Sequence, residues 1–429
     1  MAMKPTVDQL ADRCGDVDER LIRQHVERLD DDYFKLFDLP LIARHVQGLS
    51  KLSRDNNVEV LVEGDAPDNV RCTVLATDYP SAFSVITGVL AGSAFNVESG
   101  EVFTYHKAQA PASRKRRPRP SGRRRTSSAA VDPIRQRRII DCFEGQILND
   151  QSIEDWAHEL HDRLESVFDL LGRPDEEGPR EARHRVNEMV TERLAQTRST
   201  GPNMLLPVEI ETKQTGGRTR LTVRSQDTPA FLYSLSNALS LQDMSIERVR
   251  IRTLGGQIED EIEFVDLQGN PVTDQEALDR VRFSVLLTKQ FTYFLDRAPD
   301  PYTALSRFEK LASDLLRRPE AGDWWDMLAD PRAMQNLARL LGASDYLWED
   351  FIRLQYDALL PIVGPHIPGE QVSDTPEDMA RRLDEAIAAA EDPAQKRKAL
   401  NQFKDQETFL IDLDHVLGER DDFRTFAER

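Results

Sequence analysis

Between Thr219 and Thr273 the chain changes its hydrophobic period twice. Leu221 and Val223 alternate with polar neighbours, the period of a half-buried strand. Asp227, Thr228 and Pro229 break that alternation with turn-forming residues. Phe231, Leu232, Leu235 and Leu239 then recur at helical spacing. Ile246, Val249 and Ile251 open a second β run, and Gly255-Gly256 permits a tight hairpin because glycine accepts positive φ without steric cost. Ile258, Ile262, Phe264 and Val265 supply the strand that returns, closed by Leu267 to Pro271. Strand, helix, strand, hairpin, strand predicts a small α+β sandwich with one helical face.

A slide of 149 positions lays this segment over an earlier one without a gap. Asp78 falls on Asp227, Pro80 on Pro229, Phe83 on Leu232, Ile86 on Leu235, Leu90 on Leu239 and Val97 on Ile246. The returning strand repeats as well, Ile139 to Phe143 against Ile258 to Ile262, but at an offset of 119, so the first copy carries 30 extra hairpin residues. Val58, Val60 and Val62 alternate ahead of the first copy, and Val208 and Ile210 sit similarly ahead of the second. Each is expected to complete its sheet, in place of a strand after the last helix.

The remaining pattern is helical. Leu21, Ile22, Val26 and Leu29 share one face, followed by Tyr33, Phe34, Leu36 and Phe37. His45, in this lead-in, reads as a solvated or capping histidine. Ser152 to Gly172 carries a stripe of Ile153, Trp156, Leu160, Leu164, Phe168 and Leu171, and Arg180 to Thr197 begins another helical segment ahead of a linker at Arg198 to Asn203. Gln275 to Leu295 is helical, and from Tyr302 the chain reads as helices only. Trp324 to Leu328 marks one element there, and Pro331 opens another as a first-turn proline. Gly342 ends that helix and Ser344 caps the next, Asp345 to Leu360; Pro361 to Gly369 is loop. Thr375-Pro376 and Asp392-Pro393 start the last two helices.

Composition narrows the function. The 429 residues suit about three domains. Fifty-six basic against 75 acidic residues give a net charge of −19, which argues against nucleic acid as the partner of the whole chain. The exception is Lys107 to Gln136, the hairpin insertion, where Arg114 to Arg119 and Arg123 to Arg125 concentrate positive charge among Pro and Ser. That composition predicts an unstructured loop. Cys14, Cys72 and Cys142 are few and far apart, so neither a disulfide framework nor a metal spacing follows. No apolar run approaches the roughly 20 residues that span a bilayer, and Met1 to Gly15 lacks a signal-peptide core. A cytoplasmic protein without membrane contact is expected.

The repeated segments, through Val74-Leu75-Ala76-Thr77-Asp78-Tyr79-Pro80 and Val223-Arg224-Ser225-Gln226-Asp227-Thr228-Pro229, resemble ACT regulatory modules, specifically the tandem pair of the bacterial PII uridylyltransferase. Asp30 to Phe34 is similar to the helical lead-in of those relatives. The helical tail, through Ala304 to Leu311, Leu340 to Leu347 and Ala399 to Glu407, resembles the front of glutamine-synthetase adenylyltransferase. Together these resemblances imply two ferredoxin-like ACT-type βαββ sandwiches followed by an all-α bundle. The expected division is a helical lead-in at 1–54, a first ACT-like domain at 55–172 with its basic insertion at 107–136, and a helical linker at 173–203. A second ACT-like domain at 204–297 and a helical domain at 298–429 complete it.

The implied function is the regulatory, amino-acid-sensing part of a nitrogen-assimilation nucleotidyltransferase. The alternative is a stand-alone ACT-domain adaptor acting through its helical tail. The ligand would be an amino acid, glutamine first, bound at the strand-to-helix turn, where helix-start N–H groups suit a carboxylate, or at the interface between paired modules. The partners would be glutamine synthetase or a PII-type signalling protein, and the modules would pair within or between chains. By position in the motif, ligand contacts are assigned to Asp78, Ser81 and Asn96 in the first copy and to Asp227, Ala230 and Ser245 in the second. The competing role for Asp78 and Asp227 is local turn capping. Ser81 and Ala230 stand where the family often has glycine.

Complete adenylyltransferases use magnesium and ATP at a Gly-Ser turn followed by Asp-x-Asp. No such motif occurs here, so no catalytic residue, metal or cofactor is assigned to this chain. Asp412-Leu413-Asp414-His415 matches Asp-x-Asp literally, but it lies in a helical pattern, where side chains two apart diverge.

Overall fold

The alternating apolar runs close into an eight-stranded, wholly antiparallel sheet in the computed structural model. Residues 4–53, 55–106, 137–175, 177–196, 208–228, 230–242, 244–316, 331–353, 376–388 and 392–417 are described. The insertion at 107–136, the linker at Arg198 to Asn203, the Trp324 to Leu328 element, residues 354–360 and the loop at Pro361 to Gly369 lie outside them. The chain divides into two compact units. One comprises Met1–Val186, Glu209–Asp227 and Asp243–Thr273; the other comprises Asn187–Val208, Thr228–Gln242 and Asp274–Arg429.

The first unit holds the whole sheet. Its strands are β1 (Val58–Ala66), β2 (Asn69–Thr77), β3 (Phe95–Thr104), β4 (Arg138–Ile147), β5 (Glu209–Thr215), β6 (Arg218–Gln226), β7 (Ser245–Leu254) and β8 (Gln257–Val265). They run in the order β1-β2-β4-β3-β7-β8-β6-β5, two like four-stranded halves joined through β3 and β7. β1 and β5, the strands that the alternation ahead of each copy predicts, complete the two halves and lie at the sheet's outer edges.

The joint carries the signature of the repeat. Ser99 pairs with Arg252, Glu101 with Arg250 and Phe103 with Arg248. Under the 149-residue offset these pairs exchange, and Glu101 and Arg250 are each other's equivalents, so a pseudo-dyad passes through that pair. The halves also share a bulge, at Val97/Ser99 in one and Ile246/Arg248 in the other.

Helices cover the first half of the sheet on both faces. On one face lie α5 (Ala82–Gly92) and α6 (Ile153–Leu171), the latter held by Trp156, whose indole N–H donates to the Ser93 carbonyl at 2.8 Å. The other face meets the lead-in α1 (Val7–Cys14), α2 (Glu19–Glu27), α3 (Asp31–Leu36) and α4 (Leu39–Lys51). Side-chain caps fix the starts of three of these: Thr6 caps α1 as a reciprocal capping box, Asp18 caps α2 and Asp38 caps α4. Leu75, Phe103, Tyr105, Ile140 and Cys142 of the sheet share one core with Leu21, Ile22, Tyr33, Phe34 and Val46 of the lead-in.

His45 corrects the solvated reading: it is buried, with Nδ1 2.8 Å from the Tyr33 hydroxyl. His25 is its companion, 2.8 Å from the Tyr105 hydroxyl. Burial pushes both imidazoles down, His45 to about 3.

The matching face of the second half is built differently. Leu75, Ile140 and Cys142 are replaced at equivalent positions by Arg224, Glu259 and Glu261. Each charge stands directly opposite its counter-ion: Arg224 across from Glu259 (2.8 Å), Arg250 across from Glu261 (3.3 Å), Arg220 across from Glu263 (2.6 Å).

The second unit is helical. Its described elements include the end of α7 (Glu177–Gln196), then α8 (Phe231–Leu241), α9 (Gln275–Phe294), α10 (Pro301–Leu316), α11 (Pro331–Leu341), α12 (Asp345–Arg353), α13 (Pro376–Ala388) and α14 (Pro393–Leu417). Phe291 of α9 stacks on Phe308 of α10 with ring centroids 3.7 Å apart. Buried Leu337, Leu340, Leu341, Phe409 and Leu413 extend that core. Arginines close helix ends: Arg339 donates to the Val416 and Leu417 carbonyls, and Arg307 to those of Leu341 and Ser344. Asp412 to His415 lie within α14, as the helical pattern requires. Among the described residues no helix is long and apolar enough to cross a membrane.

Candidate functional site

Strand β2 leads into α5 through Asp78, Tyr79, Pro80 and Ser81. The Asp78 N–H donates to the Arg137 carbonyl (3.0 Å), which pins the turn to the start of β4, and the Asp227 N–H makes the equivalent bond to Gly256 (2.8 Å). The turn then needs a left-handed residue to enter the helix. Ser81 takes φ 67° and ψ 10°, and Ala230 takes φ 54° and ψ 16°. Neither position gives its helix a side-chain cap. The first N–H of each helix is taken by a turn carbonyl, Ala82 by Tyr79 (3.0 Å) and Phe231 by Thr228 (3.2 Å), and the cap residue's side chain accepts from none of those that follow.

Asp78 does not cap the turn. Its carboxylate pairs with Arg137 Nε at 3.0 Å, and Arg137 Nη2 donates to Glu247 of β7 at 2.8 Å. Copy one and copy two thus meet through a carboxylate–guanidinium–carboxylate chain at the joint. Burial pushes Asp78 up to about 6 against the pull of Arg137, and Glu247 adds to the rise. Glycine 256 occupies the position equivalent to Arg137, so this chain has no counterpart at the second turn.

The assigned residues do not all converge. Asn96 pairs with Gln146 of β4, whereas the Asp78 turn adjoins Thr77 opposite Arg138. Eight residues of strand separate those points, on the order of 25 Å. Ser245 stands in the same relation to Asp227, since Ser245 pairs with Val265 and Gln226 with Gln257. Asp78 and Ser81 belong to one turn and Asp227 and Ala230 to the other, but Asn96 and Ser245 lie at the far ends of their strands.

Two groups escaped sequence reasoning. Arg137 borders the insertion and carries no motif. Asp141 sits in mid-strand, fully buried on β4, and neither carboxyl oxygen has a hydrogen-bond partner. Burial, reinforced by the charge of Asp78, holds it well above the usual carboxylate range. Its equivalent in the second half, Asp260, is also buried, so an alternation of apolar residues broken by one Asp in both copies was the available signal.

On the lead-in face of the sheet, two clefts flank α3. One, of about 580 Å³, lies between Phe37 to Arg44 and the sheet residues Arg71, Glu144 and Arg252. The other, of about 520 Å³, is lined by Asp30, Asp32, Arg218, Arg220, Arg248 and Glu263 among others. The pseudo-dyad relates them: Arg71 and Glu144 (2.6 Å) correspond to Arg220 and Glu263 (2.6 Å). Among the described residues no cluster of His, Cys, Asp and Glu is arranged to hold a metal ion. The chain matches no family model, no curated protein and no solved structure.

Proposed function

We propose that this chain is the regulatory, amino-acid-sensing part of a nitrogen-assimilation nucleotidyltransferase, resembling glutamine-synthetase adenylyltransferase and built around paired ACT-type modules. The observation that carries the reading is the pair of left-handed, uncapped helix starts at Ser81 and Ala230. Both stand where ACT modules often place glycine to let a ligand approach the backbone. The two half-sheets joined edge to edge about a pseudo-dyad support the same reading.

The ligand is an amino acid, with glutamine the first candidate. Its carboxylate would take the open N–H groups at the start of α5. Its ammonium would lie against Asp78, which Arg137 and Glu247 hold at the joint. A cation beside Asp78 favours the ionised carboxylate, so binding releases a proton and strengthens as pH rises through about 6. Occupancy would be passed through the helical tail to glutamine synthetase or a PII-type signalling protein.

Calorimetric titration of the full chain with glutamine, with glutamate and the remaining standard amino acids as a panel, tests this. Saturable binding is expected, weakened about tenfold or more by Asp78→Ala, as loss of a charged hydrogen bond requires. A folded chain that takes up no amino acid in the panel would sink the reading.

A further inference from the structure

The second strand-to-helix turn differs from the first at three positions that meet in space. At the 149-residue offset Thr228 stands for Tyr79 and Phe231 for Ala82. The helices after the two half-sheets align at an offset of 121, where Val281, Val285 and Phe291 of α9 fall on Leu160, Leu164 and Leu170 of α6, all buried. That alignment puts Lys289 where the first half has Phe168. In the first half the Phe168 ring lies 6.3 Å from that of Tyr79, and Ala82 offers only a methyl group. In the second, Lys289 is fully buried. Its Nζ donates to Thr228 Oγ1 at 2.7 Å and lies 3.7 Å from the centre of the Phe231 ring.

We propose that Lys289 is a resident ammonium that fills the second turn, so that the chain takes up one amino acid, at the Asp78 turn, and none at the other. The inference rests on amino-acid sensing for the first turn only; the filling of the second follows from α8 and α9 by themselves.

The chemistry of the seat carries the argument. Enclosing an ammonium is costly unless its neighbours compensate it, and lysine is among the residues least often fully buried. A side chain needed only to fill the space would be served by the phenylalanine of the first half. Here two neighbours differ along with it, each in the direction a cation requires. Thr228 brings a hydroxyl that accepts, in place of a phenol that donates to Asn57 Oδ1 at 2.9 Å. Phe231 brings a ring face, which attracts positive charge. Thr228 also closes the first turn of α8 through its carbonyl, so the residue that starts the helix is the one that holds the ammonium. An amino acid entering this turn carries the same kind of group and meets a seat already taken. The tethered ammonium prevails because its binding is intramolecular and needs no free ligand.

Two measurements on the full chain test this. Calorimetric titration with glutamine should give one site per chain, weakened about tenfold or more by Asp78→Ala. Two sites, or one site that Asp78→Ala leaves unchanged, overturns the inference while amino-acid sensing stands. No uptake at all sinks the sensing instead, and the second measurement, which needs no amino acid, then decides. Lys289→Ala removes three carbons and the ammonium. Added n-propylammonium chloride restores both shape and charge, whereas 1-propanol restores shape alone. Saturable recovery of the variant's thermal midpoint by n-propylammonium, absent with 1-propanol and absent in the unsubstituted chain, supports a resident ammonium. Equal recovery by both compounds, or by neither, overturns it and leaves Lys289 a packing residue. Should Lys289→Ala not fold unaided, the yield of folded chain on refolding with each compound gives the same readout.

Discussion

Replacing Asp141 by Leu should stabilise the protein, and increasingly so as pH rises. Leucine has nearly the branched outline of the aspartate side chain, and the site is fully enclosed by β4 and its neighbours Val74 and Val102. Two costs disappear with the carboxyl. A buried polar group without a partner costs about 1–3 kcal/mol. Ionisation adds the second. Because the native group keeps its proton well above 3.8, the unfolded chain ionises first as pH rises, and the native state loses about 1.4 kcal/mol per pH unit until its own pKa is reached. This contribution is absent below about pH 4 and grows as pH rises above it. Urea unfolding of the full chain between about pH 4 and 8, with hydrogen exchange of the β4 amides as the local readout, measures both. The stability difference in favour of Asp141→Leu should widen with pH across that range, whatever slope the buried histidines give to both proteins. A Leu variant less stable than the parent at every pH, with the slope unchanged, would refute the reasoning, because the carboxyl would then have to be satisfied.

Acid should loosen the lead-in by the opposite linkage. His25 and His45 are buried neutral, with folded pKa values below 6.5, so stability is intact above about 6.5 and falls as pH drops toward about 3, His45 alone contributing about 2 kcal/mol of loss near pH 5. Hydrogen exchange of α2 to α4 against pH checks this, and paired Tyr33→Phe/His45→Leu should flatten the curve. At the helix starts, Ser81→Gly and Ala230→Gly should each stabilise by about 0.5–1 kcal/mol, since glycine removes the left-handed strain of an L-residue while giving back part of the gain as chain entropy. Thermal unfolding decides: a fall in midpoint for both would mean that the strain is not there to relieve.

Local rules made much of this chain legible. The repeat could be read because turn chemistry and apolar spacing coincide at Asp78/Asp227 and Pro80/Pro229, and both are short-range signals. Helix starts at Ser152, Asp274 and Asp392 follow from capping chemistry that acts within three residues. Asn96 stands apart from the Asp78 turn for a geometric reason. It follows α5 closely in sequence, but an eleven-residue helix carries the chain about 16 Å away from the turn that began it. The burial of His45 is not legible because side-chain type predicts exposure only on average, and its one partner, the Tyr33 hydroxyl on Nδ1, is set by packing rather than by sequence pattern. The contacts of Arg218 with Asp30 and of Arg248 with Asp32 span about two hundred residues, a distance over which pattern carries no register.

The duplicated sheet also explains why its halves cannot be chemically alike. One lead-in serves two half-sheets, and the apolar face it covers is the one bearing Leu75, Ile140 and Cys142. Were Leu, Ile and Cys repeated at 224, 259 and 261, the second half would present a matching apolar face that no lead-in among the described residues covers, a patch that invites association. Arg224, Glu259 and Glu261 remove that hazard, and their direct cross-strand pairing keeps the strands in register without a hydrophobic face to set it. The same substitution has a second effect. A charged face cannot hold α3 by packing, so the attachment beyond the joint is made through Asp30 and Asp32, and ion pairs at this exposure bind weakly and respond to salt and anions. The first half therefore grips the lead-in as core, and the second half grips it through ion pairs.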